Sequence, residues 1–429
     1  MQGYATSLGK PRVNITPHLS TIAVLSAIVL VLTLFNNHAM QAQTFNVLHN
    51  FTGGADGGNP FAGVTVGPAG VLYGTASSGG TGDAGTVFRL SPHGSSFIFS
   101  PLYEFTGGSD GSLPGGGVVI GPNGALYGTT TYGGGDDYGT VFELRPPPTF
   151  CRSILCYWNE TVLYDFGPPP DGRYPGNFEN LAFDQAGNIY GTTLGGGVYV
   201  GGGNNGGTTF ELTPSGGGYT ESIIHSFGSG TDGVEPYAGV ILDTAGNVYG
   251  TTSNGGTDGG GTVYQLMPSN GGWLENVLVN FNGTNGSEPY GNLIIDGSGN
   301  LYGTASGVVF KLSPSVGGFT YSILYHLSGD SVGGLAMDAA GNLFGVSVIG
   351  GSHNDGWIFE LTNCSQTCSG VNLHDFSGSD GWYPNGTPVL DANGNLYGTA
   401  VYGGTGTCGL YGNGCGVVWE IAGVGSRRY

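Results

Sequence analysis

The chain has 429 residues, of which 89 are glycine and 22 proline, and only 9% are charged. So much glycine and proline suits a low-complexity chain, but 38% hydrophobic and 12% aromatic residues exclude one with nothing to bury, and without a Gly-X-Y period a collagen is excluded too. With 29 acidic and 9 basic residues the net charge is −20, a surface that repels phosphate backbones and argues against nucleic acid as a partner.

In chain order, the first segment reads as an export signal over residues 1–42. Lys10 and Arg12 form a basic start, Ile22 to Phe35 is an apolar run, and Ala39 and Ala42 offer small residues for cleavage before Gln43. The run is short for a membrane span, which needs about 20 residues. An uncleaved anchor over Leu19 to Phe35 is the alternative. Residues 43–429 then form one domain.

From Leu72 onward one phrase recurs: an apolar residue, an aromatic, glycine and usually threonine. It begins at Leu72-Tyr73-Gly74-Thr75 and returns with its aromatic at 127, 190, 249, 302, 344 and 397, an average of 54 residues per repeat. Each copy carries four short apolar runs bounded by turn residues. In the fourth these are Gly239 to Asp243, Val248 to Thr252, Thr262 to Met267 and Trp273 to Phe281. Four antiparallel strands repeated seven times predict an all-β, seven-bladed β-propeller. Thr44 to Phe51 reads as a fourth strand with no first three before it, and Gly416 to Ile421 as a third strand with no fourth after it. The N-terminal strand is therefore expected to complete the last blade and close the ring, leaving no edge unpaired.

The recurrent phrase, as in Gly299-Asn300-Leu301-Tyr302-Gly303-Thr304 and Gly139-Thr140-Val141-Phe142-Glu143-Leu144, resembles the GloVer tandem-repeat proteins of bacteria. The resemblance extends over residues 44 to 421 and implies an exported repeat protein of unassigned activity, placed in the periplasm, at the cell surface or outside the cell. The Asp-x-x-Gly-Asn turn is similar to that of other propellers, including NHL-type and lyase-like ones, which speaks to fold alone.

Six cysteines fall as three close pairs, Cys151/Cys156, Cys364/Cys368 and Cys408/Cys415, and local disulfides formed in an oxidising compartment are expected. Asp184, Asp243, Asp296, Asp338 and Asp391 precede the second strands and read as turn caps. His49, His225 and His374 share one place in the repeat with Tyr103, Tyr164 and Tyr325. Histidines spread one per blade do not converge on one ion, so packing is expected of them.

Two regions are candidates for chemistry. The first is the connection between successive blades, where Asp56, Asp110, Asp171, Asp232 and Asp380 each precede glycine a few residues before proline. The glycine-rich loops that share their face of the disc add Asp136, Asp137 and Asp258. Good turn chemistry explains such aspartates. The functional reading is an acidic face that binds sugar hydroxyls beside Tyr132, Tyr174, Trp382 and Tyr383. Ca²⁺ is the one cofactor to weigh, with Asp136, Asp137 and Asp258 as its ligands. The second region is the entrance of the central channel, where mostly glycine leaves Glu179, Asn180, Asn292 and Thr387 as the polar residues. One carboxylate and two amides lack a paired base, so Glu179 stands as the single catalytic candidate. The leading expectation is a monomeric binding module for a glycan or protein partner. A propeller lyase or hydrolase acting near Glu179, and a structural envelope protein without a small ligand, are the alternatives.

Overall fold

A computed structural model of the chain describes residues 2–3, 43–148, 157–176, 180–198, 206–228, 231–329, 333–364, 366–408 and 414–424. Cys151, Cys156, Glu179 and the expected leader apart from residues 2–3 lie outside the described residues. No helix among the described residues is long and apolar enough to cross a membrane.

Among the described residues, seven antiparallel blade sheets follow one another along the chain with the first strand of each innermost. The third carries an extra strand, Gly172–Pro175, and Gly233–Val234 pairs with Asn254–Gly255 in a separate two-stranded sheet. The seven-bladed propeller read from the repeat is thus observed. Blade 4, for example, runs Ile241–Leu242, Val248–Thr252, Thr262–Ser269 and Gly272–Asn280. Blade 7 is completed as expected: Thr44–Asn50 pairs with Val417–Ala422, in the register Phe45 to Ile421.

The repeated phrase has a physical role at each place. Its glycine lies under the aromatic ring of the third strand. A Cβ on Gly128 would come 2.6 Å from Phe142 Cζ, and one on Gly398 would come 2.3 Å from the Trp419 ring. No side chain fits there, so the ring packs directly on backbone. The threonine hooks the next blade. Thr75 donates to the Gly116 carbonyl at 2.8 Å, Thr304 to Gly333 at 2.9 Å, and Thr399 to Ala62 at 2.8 Å across the closure. Fully buried Phe51, Phe105, Phe166, Phe227, Phe281 and Phe376 fill the same place at the end of six outer strands, and Leu327 takes it in blade 5.

The inner strands are shorter than the sequence reading. Gly239 to Asp243 was the expected span, but only Ile241–Leu242 pairs with the second strand. Crowding at the axis is the reason, since the residues ahead of that pair bond sideways to neighbouring inner strands. Gly239 N donates to Asn292 Oδ1 at 2.8 Å, and a Cβ on Gly63 would lie 2.1 Å from the Thr387 carbonyl oxygen.

Candidate functional site

Each connection from an outer strand to the next inner strand crosses one face of the disc, paired to the glycine-rich loop of the blade it enters. Gly58 bridges to Ser78, Ser112 to Tyr132, and Trp382 to Tyr402, while Gly233–Val234 pairs with Asn254–Gly255. Both sets of loops therefore share a face, as alternation requires.

The predicted aspartates of these connections point into the fold. Asp110 Oδ2 accepts from Tyr103 Oη at 3.0 Å and from Thr106 N at 2.9 Å. Asp171 accepts from Tyr164 Oη and Gly167 N at 2.9 and 2.7 Å. Asp56, Asp232 and Asp380 face His49, His225 and His374 at 3.1, 3.1 and 2.9 Å. Burial raises the Asp56 carboxyl, but hydrogen bonds from His49 and Thr52 outweigh it and hold the group below the usual range. The five carboxylates thus stand one per interface and are occupied by their own blades. Asp136, Asp137 and Asp258 stay exposed. Asp137 Oδ1 accepts from Gly133 N at 2.8 Å, and none of the three joins a group of ligand atoms among the described residues.

At the channel, Asn292 and Thr387 accept from Gly239 N and Gly334 N, at 2.8 and 3.1 Å. Asn180 and Thr387 line a cavity of about 570 Å³ with apolar Val64, Leu335 and Met337. Two of these polar side chains thereby link neighbouring inner strands.

Three residues beyond the aspartate, the connections share a feature the sequence reading missed. Asn59, Leu113, Tyr174, Glu235, Glu288 and Tyr383 have φ of 56°, 55°, 60°, 60°, 49° and 61°. Each directly precedes proline. A left-handed backbone costs a non-glycine residue roughly 1–2 kcal/mol, and glycine would relieve it. The conformation is fixed from both sides. Leu113 N donates to Ala84 O in blade 1 at 2.8 Å, and Thr131 N in blade 2 donates to Leu113 O at 3.0 Å. Glu235 and Tyr383 are held the same way, between Gly206 and Ser253 and between Asp355 and Val401. All six side chains are half-buried or exposed. The sequence signal is the residue between Asp-Gly-x (Asn285-Gly286-Ser287 in the copy ending at Glu288) and Pro, which is never glycine in these six copies while glycine fills so many other turns.

Aromatic rings gather around this ring of positions. Tyr174 stands 5.3 Å from Tyr132 and 6.0 Å from Tyr138, with the Arg173 guanidinium 5.5 Å from its centre. Tyr383 and Trp382 pack against Tyr402 at 6.1 and 5.3 Å. Tyr237 and Tyr290 meet at 5.2 Å beside Glu235 and Glu288. Beside Trp382, a cavity of about 350 Å³ is lined by Asp355 and Ser379. The structure thus brings together the predicted Tyr132 and Tyr174, and Trp382 with Tyr383.

Between blades, carboxyl groups meet in pairs. The outer strands of blades 2, 3 and 4 place Glu160, Glu221 and Glu275 against Asp110, Asp171 and Asp232 of the preceding blade. Burial, reinforced by the neighbouring aspartate, pushes Glu160 and Glu221 up to about 7 and raises Glu275 for the same reasons.

The fold is therefore a seven-bladed propeller with one face of strained, side-chain-bearing connections. Residues 33–202 match the family model of the Gloeobacter/Verrucomicrobia repeat. No curated protein sequence matches the chain. Among solved structures it is similar to virginiamycin B lyase from Staphylococcus aureus, in a catalytically inactive variant with quinupristin, at 13% identity and TM-score 0.56, covering 89% of this chain and 100% of that one. It is also similar to the extracellular domain of the putative hybrid two-component system BT4673 from B. thetaiotaomicron, at 13% identity and TM-score 0.52, covering 88% of this chain and 39% of that one. At such identity the likeness is one of fold. The disulfides Cys364–Cys368 and Cys408–Cys415 are formed, as in chains that pass through an oxidising compartment.

Proposed function

We propose that this chain is an exported binding propeller whose loop face holds a neutral glycan. The observation that carries the reading is the ring of six non-glycine residues in left-handed backbone. Their backbone geometry is the same at six interfaces, yet their side chains run from leucine to glutamate and tyrosine. Strain kept at six interfaces while the side chain changes argues that the side chain itself is used. Tyr174 and Tyr383 supply flat apolar surface for the CH face of a sugar, and Glu235, Glu288 and Asp355 supply acceptors for its hydroxyls. Uronates and sulfated sugars would be repelled by a surface of net charge −20. The same charge argues against nucleic acid as a partner. Residues 1–42 act as the leader in this reading, and the protein works as a monomer in the periplasm, at the surface or outside the cell.

Titrating the full chain with cellohexaose and mannohexaose, and with polygalacturonate as the acidic control, tests it. A neutral oligosaccharide should bind, and Tyr174→Ala or Tyr383→Ala should weaken it at least ~10-fold, on the order of one lost aromatic contact. Binding to neither neutral sugar, or equal binding to polygalacturonate, would count against the assignment.

A further inference from the structure

Three successive blade interfaces repeat one arrangement with one change. Between blades 1 and 2 it is Tyr103, Asp110 and Glu160; between blades 2 and 3, Tyr164, Asp171 and Glu221. In both, the tyrosine hydroxyl donates to the aspartate. Between blades 3 and 4 the tyrosine is replaced by His225, beside Asp232 and Glu275.

A phenol at neutral pH offers a proton there, whereas an imidazole with its proton on Nδ1 offers a lone pair at Nε2. His225 Nε2 lies 3.1 Å from Asp232 Oδ2 and 3.9 Å from Glu275 Oε1. One ligand atom from each of the three residues falls within 4.8 Å of the others. Donor atoms about 2.0–2.2 Å from an ion stand about 3–4 Å apart, so little movement would close the set.

The surroundings fix the donors and supply no cation. Asp232 is only 7% exposed. Its Oδ1 accepts from Gly233 N at 2.7 Å, which leaves Oδ2 facing His225. The His225 ring stands edge-on to Phe227 at 4.6 Å. Glu275 Oε1 is fully buried and has no hydrogen-bond partner. Among the described residues, no lysine or arginine pairs with either carboxylate. Glu160 Oε1 and Glu221 Oε1 are buried and unpartnered in the same way at the two tyrosine interfaces. A proton offsets the cost of such a pair, and a cation does so as well, so it is the imidazole lone pair that sets this interface apart.

We propose that His225, Asp232 and Glu275 bind one divalent transition-metal ion of the Zn²⁺ class between blades 3 and 4. Its donor set is one imidazole nitrogen and two carboxylates, which suits Zn²⁺ better than Ca²⁺, whose sites are built from oxygen. Three protein ligands leave a coordination position for water. The ion pins the outer strand of one blade to the next.

The internal repeat supplies the control. Full chain stripped with chelator is titrated calorimetrically with Zn²⁺, and with Co²⁺ read by visible absorption. One ion per chain should bind and raise the melting temperature. His225→Tyr installs the residue that two neighbouring interfaces already carry, so it should fold. It should also weaken Zn²⁺ binding at least ~10-fold and remove the Co²⁺ absorption. Glu275→Gln should do the same. The converse change, Tyr164→His, should add a second ion. No Zn²⁺ binding by the parent chain, or the same affinity and stoichiometry in His225→Tyr, overturns the assignment.

Discussion

Two of the disc's connections are built on opposite principles. In the turn between inner and second strands the side chains are fixed. Asp243 accepts from Ala245 N and Asn247 N at 2.9 Å, from Asn247 Nδ2 at 2.7 Å and from Tyr249 Oη at 3.0 Å, and Asp296 repeats the pattern in blade 5. In the connection between blades the backbone is fixed and the side chain varies, at the six residues with positive φ before proline. Asn59 donates to Val401 O at 3.2 Å, Glu235 accepts from Asn254 Nδ2 at 2.7 Å, and Tyr174 and Tyr383 pack against neighbouring rings. Where side chains repeat, the repeat serves the fold. Where only the backbone repeats, the position is available for recognition.

Perturbations should separate the two kinds of position, with the fixed side failing first. Gly398→Ala should cost up to about 3 kcal/mol, because its Cβ would meet the Trp419 ring at 2.3 Å; urea unfolding gives the value. Asp243→Ala should cost about 1–2 kcal/mol, since it leaves Tyr249 and the turn amides short of an acceptor. Acidity is the next lever. Glu160 and Glu221 titrate near 7 in the folded chain, against 4.5 for the ordinary group, so the folded state holds more protons between those values. The stability they contribute is complete below about pH 4.5 and is lost as pH rises through 7. Melting temperature should fall by a few degrees between pH 5 and 8, and Glu160→Gln with Glu221→Gln should flatten that slope. Asp56 and Asp243, held low by their hydrogen bonds, act in the opposite sense below about pH 4. The smallest effect has the opposite sign: Glu235→Gly or Glu288→Gly should raise stability by about 0.5–1 kcal/mol, the relief of a left-handed residue. A loss there would place those side chains with the structural turns instead.

Most of the architecture could be read from one phrase because each of its residues does a local job that recurs. The aromatic, glycine and threonine mark the second strand, and the unpaired runs at Thr44 and Gly416 reveal the closure. Inner-strand length was not legible, since it depends on sideways bonds such as Gly239 to Asn292, between residues 53 apart in the chain. Aspartates such as Asp110 and Asp232 drew attention for their charge, yet their partners Tyr103 and His225 lie seven residues back and turn them inward. The meeting of His225 with Glu275 crosses a blade boundary, and periodicity within single blades does not report it. The left-handed ring was present in the sequence as the residue before each proline, but its conformation follows from bonds to two separate blades.

The central claim is that the strained ring of the loop face is kept for binding. Its most direct measurement is calorimetric titration with a neutral hexasaccharide of the parent chain and of a variant with Asn59, Leu113, Tyr174, Glu235, Glu288 and Tyr383 all changed to glycine. The account predicts that this variant melts no lower than the parent and binds no sugar. A variant that binds as the parent does, or one that unfolds, would contradict it.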